Sequence, residues 1–470
     1  MSSVPAKRII AKLDIKGSRV IKGIRYEGLR VVGDPYDLSV SYYHQGVDEI
    51  FYSDSVASLY GRNSLPELLK RTCRDVFIPI TAGGGIQSVE DARTLLASGA
   101  DKVAINTALF SNPRLIYDLA NEFGRQAVVV SIQCRSNHND WECMTESGRE
   151  RTGYSVLHWL NVLSSYPVGE FIINSIDQDG TLAGPNLALL SHIQDNITTP
   201  LIFGGGINSV YSLDSVLASS AVSGVSIASL LHFNKSTVRQ LKESSAFFSS
   251  KDNPPSPPLS IHSQPLVGVV DYGCGNLFSL CNALNRIGCN TQLISTASDL
   301  QHVSTLFLPG VGSFPHAVHN LHERDLFNPI KEFALSGSNL IGICLGMQLL
   351  FTHGTEISPT IGLDLIQGSV NPIPDSELNG LPLPHIGWSD IKLLNDGLLT
   401  TLDSFYFVHS FIAAPVDTST IIAVANYGNV AIPAIVRYGN IVGFQFHPER
   451  SSLQGLSILS STIRNLLDLP

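Results

Sequence analysis

Two periodicities of hydrophobic and polar positions alternate through the first half of the chain. Short apolar runs recur between longer stretches of helical periodicity, from residue 8 to about residue 245. The runs predicted as strands are 8–13, 49–53, 78–81, 102–105, 127–132, 170–174, 201–203 and 224–228. Eight strands that alternate with helices over this length predict an α/β fold of the (β/α)8 type, a TIM barrel.

The two halves of this predicted barrel repeat one another. Residues 79–86 (PITAGGGI) correspond to residues 200–207 (PLIFGGGI), and residues 49–52 correspond to residues 170–173 at the same offset. A shared offset indicates a duplicated half-barrel.

Each half carries a triple glycine after a strand, and we expect it to open a helix and to bring backbone N–H groups close to an anion. The next strand of each half is followed by two adjacent small or polar residues. The predicted phosphate-binding residues are Gly84, Gly85, Asn106 and Thr107 in the first half and Gly205, Gly206, Ala228 and Ser229 in the second. Two such sites predict a substrate with a phosphate at each end. The alternative is that the glycines only tighten turns.

Barrel active sites lie at the C-terminal ends of the strands. Asp14 stands there and is the candidate general acid or base, the alternative being a solvated loop carboxylate. Further polar residues at this end are Asp54, Gln133, Asn174, Asp177 and Asp179. The predicted substrate-binding residues include Lys22, Gln133, Asn174 and Asp179.

Four charged residues begin strands at the opposite end of the barrel: Arg8, Glu49, Lys102 and Glu170. Charges at strand starts normally face solvent, and that is the default expectation. If they point inward instead, two acids and two bases would form a neutral ring that closes the barrel floor.

The alternating pattern stops at residues 249–258 (SSKDNPPSPP), whose composition is typical of semi-extended linkers. We therefore predict a barrel over residues 1–248, a linker over 249–264 and a second domain over 265–470. Runs at 266–272 and 305–308 predict buried strands of a doubly wound sheet in the second domain.

The most informative stretch of the second domain is residues 340–351 (LIGICLGMQLLF). An apolar strand ends on Cys344, which has a glycine two residues away on either side, and a helical pattern follows. This is the pattern of a nucleophile elbow, which presents its nucleophile at the carboxyl edge of a sheet. The alternative is a buried structural cysteine.

A base and its orienting carboxylate follow about a hundred residues later. Residues 442–449 (VGFQFHPE) form a short apolar strand that ends at His447, with Glu449 two residues on. A thiol needs a base to become a thiolate, and the base needs an acceptor that fixes its tautomer. The turn 309–312 (PGVG) is placed to supply the N–H of Val311 to an oxyanion hole, together with the N–H of Leu345.

Composition narrows the function classes. The chain has 470 residues, of which 44% are hydrophobic and 15% charged, as in globular proteins, and its net charge of -10 argues against nucleic acid as a partner. Seven cysteines without CxxC pairs disfavour a disulfide framework or a zinc cluster. We expect no metal and no cofactor. With neither a signal peptide nor a membrane-spanning run, we expect a soluble cytoplasmic protein.

The elbow and the His447 stretch together resemble the class I glutamine amidotransferases, whose domain is a flavodoxin-like doubly wound α/β fold. Nearly the whole chain resembles the imidazole glycerol phosphate synthase family, with barrel and glutaminase on one polypeptide. The motifs that carry this resemblance are residues 7–11, 33–35, 82–86, 99–103, 105–107, 176–181, 232–233, 271–277, 309–312, 341–351, 384–388, 406–410 and 442–449.

The resemblance implies that glutamine is hydrolysed through a thioester on Cys344. It also implies that ammonia enters the barrel floor and travels through the core. There it attacks a bis-phosphorylated ribotide, phosphoribulosyl-formimino carboxamide ribotide (PRFAR), with Asp14 as general acid. The products are imidazole glycerol phosphate and an aminoimidazole ribotide. The residues implied to bind glutamine are Gly312, Gln348, His409 and Ser410. Arg8, Glu49, Lys102 and Glu170 match the family's charged ammonia gate, and Asp101 matches a residue at the domain interface.

The sequence departs from the family at three points. The barrel precedes the glutaminase, and Lys12 adds a cation near the site. More seriously, Gln133 stands where the family's second catalytic aspartate is expected. Because glutamine does not take up a proton at neutral pH, we expect cyclisation by the standard route to be crippled unless Asp54, Asp179 or a water substitutes.

Three hypotheses follow from these observations. The first is a bifunctional glutaminase and cyclase of histidine biosynthesis. The second keeps the glutaminase and the channel but delivers ammonia to another acceptor, through a third protein, as paralogues that make amidino sugars do. The third is a non-catalytic binding or regulatory fusion, which the intact set of Cys344, His447 and Glu449 disfavours.

Overall fold

The computed structural model describes residues 5–56, 65–138, 140–248, 261, 263–273, 275–394 and 403–469. Its first part contains twelve strands: β1 (Arg8–Lys16), β2 (Arg19–Ile24), β3 (Glu27–Gly33), β4 (Glu49–Asp54), β5 (Ile80–Gly83), β6 (Lys102–Ile105), β7 (Val128–Asn137), β8 (Asp140–Thr145), β9 (Glu150–Ser155), β10 (Glu170–Ser175), β11 (Leu201–Gly204) and β12 (Val222–Ile227).

Eight of these strands close into a parallel barrel, which confirms the predicted fold. The order around the barrel is β1, β4, β5, β6, β7, β10, β11 and β12, and β12 pairs with β1 to complete the ring. Each of the eight predicted strands overlaps one of them. The largest difference is in the fifth, predicted at 127–132 and observed at Val128–Asn137, while the third is shifted by two residues, from 78–81 to Ile80–Gly83.

Helices cover the outside of the barrel, where their apolar faces pack on the strands. Their bounds are Pro35–His44, Leu65–Thr72, Val89–Ala97, Thr107–Ser111, Leu115–Phe123, Val156–Leu163, Leu187–Ile193, Val210–Leu217, Ser229–His232 and Val238–Ser244. Two features at the mouth were not predicted: the hairpin of β2 and β3, and the antiparallel extension of β7 by β8 and β9.

The predicted duplication extends to backbone conformation. Gly84 and Gly205 have φ angles of 117° and 104°, and the glycines that follow them also have positive φ. A side chain at Gly84 would lie 2.4 Å from the carbonyl oxygen of Asp54, and one at Gly205 would lie 2.6 Å from that of Ser175. Glycine is therefore required at equivalent places in both halves. We had predicted that the triple glycines open the following helices, and this prediction was wrong. The helices begin only at Val89 and Val210, so the glycines form turns ahead of them.

The inside of the barrel is layered. Six buried side chains form an apolar cluster of their own across its middle, which we call the apolar neck: Ile10, Phe51, Ala104, Val129, Ile172 and Ile202. Side chains two residues apart on a strand point to the same face. The neck is therefore flanked by Arg8 on one side and by Lys12 on the other.

Among the described residues, the second part contains a sheet of nine strands and a smaller sheet of four. The thirteen strands are β13 (Leu266–Val270), β14 (Asn290–Ile294), β15 (Thr305–Leu308), β16 (Asn339–Ile343), β17 (Phe351–Gly354), β18 (Thr360–Ile361), β19 (Ile366–Pro372), β20 (His385–Leu393), β21 (Ser404–His409), β22 (Phe411–Pro415), β23 (Ile421–Tyr427), β24 (Val430–Tyr438) and β25 (Ile441–Phe444). The order in the larger sheet is β14-β13-β15-β16-β25-β24-β23-β20-β21, and the first five of these strands are parallel, while the smaller sheet has the order β18-β17-β19-β22. This is the predicted doubly wound α/β arrangement, with an antiparallel extension beyond β25.

Helices flank this sheet over Leu277–Arg286, Phe314–Glu323, Phe327–Leu335, Leu345–Gln348 and Ser452–Leu466. The predicted linker 249–264 lies mostly outside the described residues. Within it, Ile261 is buried against the second part, and its N–H donates to the carbonyl of Ile287 at 2.7 Å. Among the described residues, none of the helices combines the length and apolar character needed to cross a membrane.

Candidate active sites

The predicted elbow forms at the end of β16. Cys344 has φ 53° and ψ -109°, a conformation outside the regions that most residues occupy. The flanking glycines permit it, since a side chain at Gly346 would lie 1.8 Å from the carbonyl oxygen of Leu308 and one at Gly342 would lie 2.6 Å from that of Gly346. The strained backbone sets Cys344 at the carboxyl edge of the sheet.

His447 and Glu449 meet beside this cysteine. Nδ1 of His447 and Oε1 of Glu449 are 2.7 Å apart, and both side chains are buried. Burial lowers the pKa of His447, but the charges of Glu449 and Cys344 outweigh burial and leave that pKa well above its ordinary value. The pair thus favours an imidazolium beside the thiol of Cys344.

The residues implied to bind glutamine line the same edge. The amide of Gln348 donates to the carbonyl of Phe411 at 3.0 Å and to the amide oxygen of Gln445 at 3.1 Å. Nδ1 of His409 contacts the same Phe411 carbonyl at 2.8 Å, and burial lowers the pKa of His409 to about 4, so this ring is neutral. The hydroxyl of Ser410 is buried and has no hydrogen-bond partner among the described residues, which leaves it available to a ligand.

The turn at residues 309–312 packs directly on the elbow. A side chain at Gly310 would lie 2.7 Å from both the backbone nitrogen of Gly346 and the Cβ of Leu345. The residue after the turn, Ser313, donates from its hydroxyl to the carbonyl of Asn121 in the barrel at 2.9 Å. The turn that carries Val311 therefore lies between the elbow and a barrel helix.

The four charges at the barrel floor face inward, so the default expectation of solvent exposure was wrong. Arg8, Glu49, Lys102 and Glu170 are completely buried, and each cation contacts both carboxylates. Arg8 is 2.9 Å from Glu49, and Lys102 is 2.7 Å from Glu49 and 2.5 Å from Glu170. We call this closed set the floor ring. Burial is tolerated because each charge has partners of opposite sign.

The second part of the chain covers the floor ring. Tyr406 on β21 is buried against the ring, and its hydroxyl has no hydrogen-bond partner among the described residues. Burial raises the pKa of Tyr406 well above its usual value, and the nearby carboxylate of Glu49 raises it further, so the phenol is neutral. A β-bridge pairs Ala6 with Trp388 beside it.

Arg450, the residue after Glu449, also reaches into the barrel. Its guanidinium is buried and donates from Nε to Asp101 at 2.8 Å and to backbone carbonyls of the barrel, including that of Ile78 at 3.4 Å. Asp101 in turn accepts from the backbone N–H of Ile80 at 2.8 Å. The segment that carries the histidine and glutamate is thus fastened to the barrel floor.

At the opposite end, Asp14 lies in a buried group of alternating charges that we call the mouth cluster: Lys12, Asp14, Lys22 and Asp179. Asp14 is 3.2 Å from Lys12 and 3.0 Å from Lys22, and Lys22 is 2.5 Å from Asp179. Burial raises the pKa of Asp14, but the two lysines outweigh it and hold that pKa far below its usual range. Asp14 is a paired carboxylate and not the solvated one of the alternative reading.

A small pocket opens to solvent beside the mouth cluster. It is lined by Lys12, Lys22 and the predicted phosphate-binding residues of the second half: Gly205, Gly206, Ala228 and Ser229. The hydroxyls of Ser226 and Ser229 line it as well, and both are buried without a hydrogen-bond partner among the described residues. Lysines, open hydroxyls and a glycine turn suit an anionic group.

In the first half, the corresponding residues contact the β8–β9 region. The amide of Asn106 donates to the carbonyl of Met144 at 3.1 Å, and the hydroxyl of Thr107 accepts from the N–H of Glu146 at 3.2 Å. Asn106 makes no side-chain cap for the helix after it. Gly84 and Gly85 form the adjacent turn, so the predicted residues of this half also lie together.

Comparisons with known proteins agree with this arrangement. Residues 8–237 match the family described as "Histidine biosynthesis protein", and residues 268–465 match "Glutamine amidotransferase class-I". The imidazole glycerol phosphate synthase subunit HisF of Legionella pneumophila is 52% identical over 200 residues, which cover 42% of this chain and 94% of that protein. The chain belongs to the imidazole glycerol phosphate synthase family.

Other HisF subunits match over the barrel in the same way. That of Lactococcus lactis subsp. cremoris (strain SK11) is 41% identical over 239 residues, which cover 50% of this chain and 92% of the relative. That of Mycobacterium tuberculosis (strain ATCC 25177 / H37Ra) is 40% identical over 244 residues, with 50% and 91% covered. This member of the imidazole glycerol phosphate synthase family is a glutamine amidotransferase enzyme whose two units dock within one chain.

The departure at Gln133 lies inside the barrel mouth of this imidazole glycerol phosphate synthase relative. Gln133 is on β7 directly opposite Asn174 on β10, and its amide oxygen is buried without a hydrogen-bond partner among the described residues. A neutral amide therefore occupies the place where a carboxylate was expected.

Several residues near the two sites were not found from the sequence. Tyr26 accepts from Asn174 at 2.8 Å and from Lys12 at 3.3 Å. Glu356 accepts from the N–H of Phe314 at 2.7 Å, and Arg450 holds the interface. The position of Arg450, directly after Glu449, is a signal that was available, since the residues beside a catalytic segment often anchor it. Tyr26 and Glu356 lie in connecting segments that carry no repeating pattern.

Proposed function

We propose that this chain hydrolyses glutamine at Cys344 and passes the ammonia through the floor ring and the apolar neck to the barrel mouth. There ammonia converts PRFAR to imidazole glycerol phosphate and AICAR, the aminoimidazole ribotide. The observation that carries this proposal is the order of the parts. The segment that carries His447 and Glu449 is fastened to the barrel at the floor, and the mouth cluster with its anion-suited pocket lies at the other end.

In the glutaminase, the Cys344 thiolate would attack the side-chain amide of glutamine. His447 would give its proton to the leaving ammonia and then activate the water that hydrolyses the thioester, while Glu449 keeps the ring oriented. The backbone N–H groups of Val311 and Leu345 would hold the oxyanion. The contact of Ser313 with Asn121 supports a link between the barrel and this turn.

The route through the barrel suits a small neutral molecule. The floor ring has two positive and two negative charges that neutralise one another, and Tyr406 stands over it from the glutaminase side. The apolar neck follows, which a charged ammonium ion would enter only at a large desolvation cost. Ammonia in its uncharged form is therefore the species that we propose is passed on.

A direct assay tests the proposal. Purified protein is incubated with PRFAR and either glutamine or an ammonium salt, and both consumption of PRFAR and release of glutamate are followed. We expect turnover with either nitrogen source. Hydrolysis of glutamine without any consumption of PRFAR, in the presence of either source, would remove the cyclase from the proposal.

The alternative that we carry forward is a glutaminase and ammonia channel that serves a different acceptor, with a third protein receiving the ammonia. Gln133 is the observation that favours it, because an amide in place of the expected carboxylate removes a proton acceptor from the mouth. The same assay separates the two, since this alternative keeps glutamine hydrolysis and loses PRFAR conversion.

Glu356 leads to a prediction on the pH dependence of glutamine binding. Burial raises the pKa of Glu356 to about 7, against a hydrogen bond from Phe314 that lowers it. We propose that its carboxylate pairs with the α-ammonium group of glutamine. The carboxylate takes up a proton as the pH falls below about 7, so the KM for glutamine should rise on the acid side.

The matched variant is Glu356→Gln, which keeps the shape and removes the charge. Loss of a charge-assisted hydrogen bond predicts a KM about tenfold higher or more, with little dependence on pH between 6 and 8. The measurement is the KM for glutamine across this range. A variant that keeps the pH dependence of the unaltered protein would disprove the role.

A further inference from the structure

Lys12 is an internal lysine next to the six side chains of the apolar neck. It is 4% exposed and stands two residues after Ile10 on β1, so it forms the first polar layer beyond the apolar neck. Ammonia that leaves the neck would meet this ammonium group before any other part of the mouth cluster.

The surroundings of Lys12 use only part of its hydrogen-bonding capacity. Its Nζ lies 3.2 Å from Oδ1 of Asp14 and 3.3 Å from the hydroxyl of Tyr26. An ammonium group has three donors, so a third is available to the cavity that Lys12 lines together with Gly205 and Ser229. The residue therefore touches both the base candidate and the space for the acceptor.

We propose that Lys12 is a catalytic residue of the barrel reaction, the acid that protonates the acceptor, with Asp14 as its base. This inference rests on the proposed function and deepens it, because it assigns proton transfer to a pair of residues in direct contact. It reverses the role of general acid that the family resemblance implied for Asp14.

The proposed step balances without any further reagent. The lone pair of ammonia forms a bond to the ribulosyl carbonyl carbon of PRFAR, and the electron pair of the C=O double bond moves to oxygen, which takes a proton from Lys12. The new C–NH3+ group gives a proton to the carboxylate of Asp14. Asp14 is then a neutral acid and Lys12 a neutral amine at 3.2 Å, and transfer of one proton between them restores both.

The charges around the pair set its protonation state at rest. The groups that face Lys12 are Asp14 on its own strand, Lys22 on β2, Tyr26 in the following turn, Asp179 after β10 and His232 in the helix Ser229–His232. Burial lowers the pKa of Lys12, but Asp14 and Asp179 outweigh it and leave that pKa raised. The pKa of Asp14 is depressed, so the resting pair is an ammonium and a carboxylate.

The pair also accounts for Gln133. When Asp14 is the base, the mouth does not need a second carboxylate on β7, and a neutral amide there is compatible with turnover. Gln133→Asp should then change ammonia-dependent conversion of PRFAR by less than about threefold. A gain of a hundredfold or more would mean that a base is missing at this position and would overturn the Lys12–Asp14 assignment.

The decisive variants are Lys12→Met, which removes the proton, and Lys12→Arg, which keeps the charge but does not release a proton at any working pH. We expect both to lower kcat for ammonia-dependent PRFAR conversion by about 100-fold or more, with less than a threefold change in the KM for PRFAR. Lys16→Met, at the exposed end of the same strand, is the matched control and should keep full activity. Glutamine hydrolysis and thermal unfolding report on folding in each variant.

Four outcomes would overturn the inference. One is Lys12→Arg with more than a third of the original kcat, which would show that charge alone suffices. Another is Lys12→Met with a raised KM and an unchanged kcat, which would make Lys12 a binding residue. In the unaltered protein, conversion per molecule of NH3 should fall at alkaline pH as Lys12 loses its proton. This fall should be absent from the residual activity of Lys12→Met. The third outcome is therefore a pH profile that is identical in the two proteins. An unaltered protein that is inert with PRFAR overturns the proposed cyclase itself, and the role of Lys12 with it.

Discussion

Replacing Cys344 with alanine should abolish glutamine-dependent turnover and leave ammonia-dependent turnover intact. The thiol is the only group at the elbow that we propose to form the covalent bond to glutamine. Removal of a nucleophile that acts as one unit with its base costs on the order of 10^4-fold or more in rate. Added ammonium bypasses that step, because the acceptor site lies in the barrel. The measurement is PRFAR consumption by Cys344→Ala with glutamine and, separately, with an ammonium salt.

Cys289→Ala is the matched control for this prediction. Cys289 is as buried as Cys344, 4% exposed in each case, and lies in the same unit but away from the elbow. We expect it to retain both activities. Loss of the ammonia-dependent reaction in Cys344→Ala, with a normal thermal unfolding curve, would contradict the assignment of the two reactions to separate units.

Replacing Lys102 with methionine should destabilise the barrel by about 3–5 kcal/mol. The lysine neutralises two completely buried carboxylates, Glu49 and Glu170, which would then share only Arg8. Breaking a buried ion pair by removing one partner is costly because a charge is left unpaired in a medium of low polarity. The measurement is the free energy of unfolding from denaturant titration, with barrel hydrogen exchange as a local probe.

Lys70→Met is the control, because Lys70 also pairs with a glutamate, Glu67, at 3.1 Å, but both members of this pair are well exposed. Exposed pairs contribute about 1 kcal/mol or less. If the two variants unfold at the same denaturant concentration, the floor ring is not an internally compensated unit, and its proposed role at the entrance would lose its physical basis.

The fold could be predicted because its signals are local. Each barrel strand is a short apolar run, and the two triple glycines mark equivalent turns. The repeat of the two half-barrels can therefore be recognised in the sequence. The elbow at Cys344 could also be predicted, since the glycines on either side are required by contacts with nearby backbone such as the Leu308 carbonyl. The proposed catalytic roles of Cys344, His447 and Glu449 remain predictions.

What could not be predicted depends on partners that are distant in the sequence. Arg8 is buried only because Glu49 and Glu170, 41 and 162 residues away, meet it in space. The sequence shows Lys12 as an unusual cation. Its contact with Tyr26, however, depends on the β2–β3 hairpin, which no periodic pattern in the sequence predicts. The solvent default for the floor charges failed for this reason: exposure is a property of the assembled barrel and not of a strand.

The contact of Arg450 has a consequence for engineering. The guanidinium of Arg450, next to Glu449, is held by Asp101 and by backbone carbonyls of the barrel. The segment that carries Glu449 is therefore held in place partly by residues of the barrel and not only by its own domain. A chimera that joins this domain to a foreign barrel would inherit every residue of the proposed catalytic set and would still lack the barrel contacts that hold the segment of Glu449. Transferring the glutaminase activity to another protein therefore requires the barrel floor to be transferred together with the domain that carries Cys344.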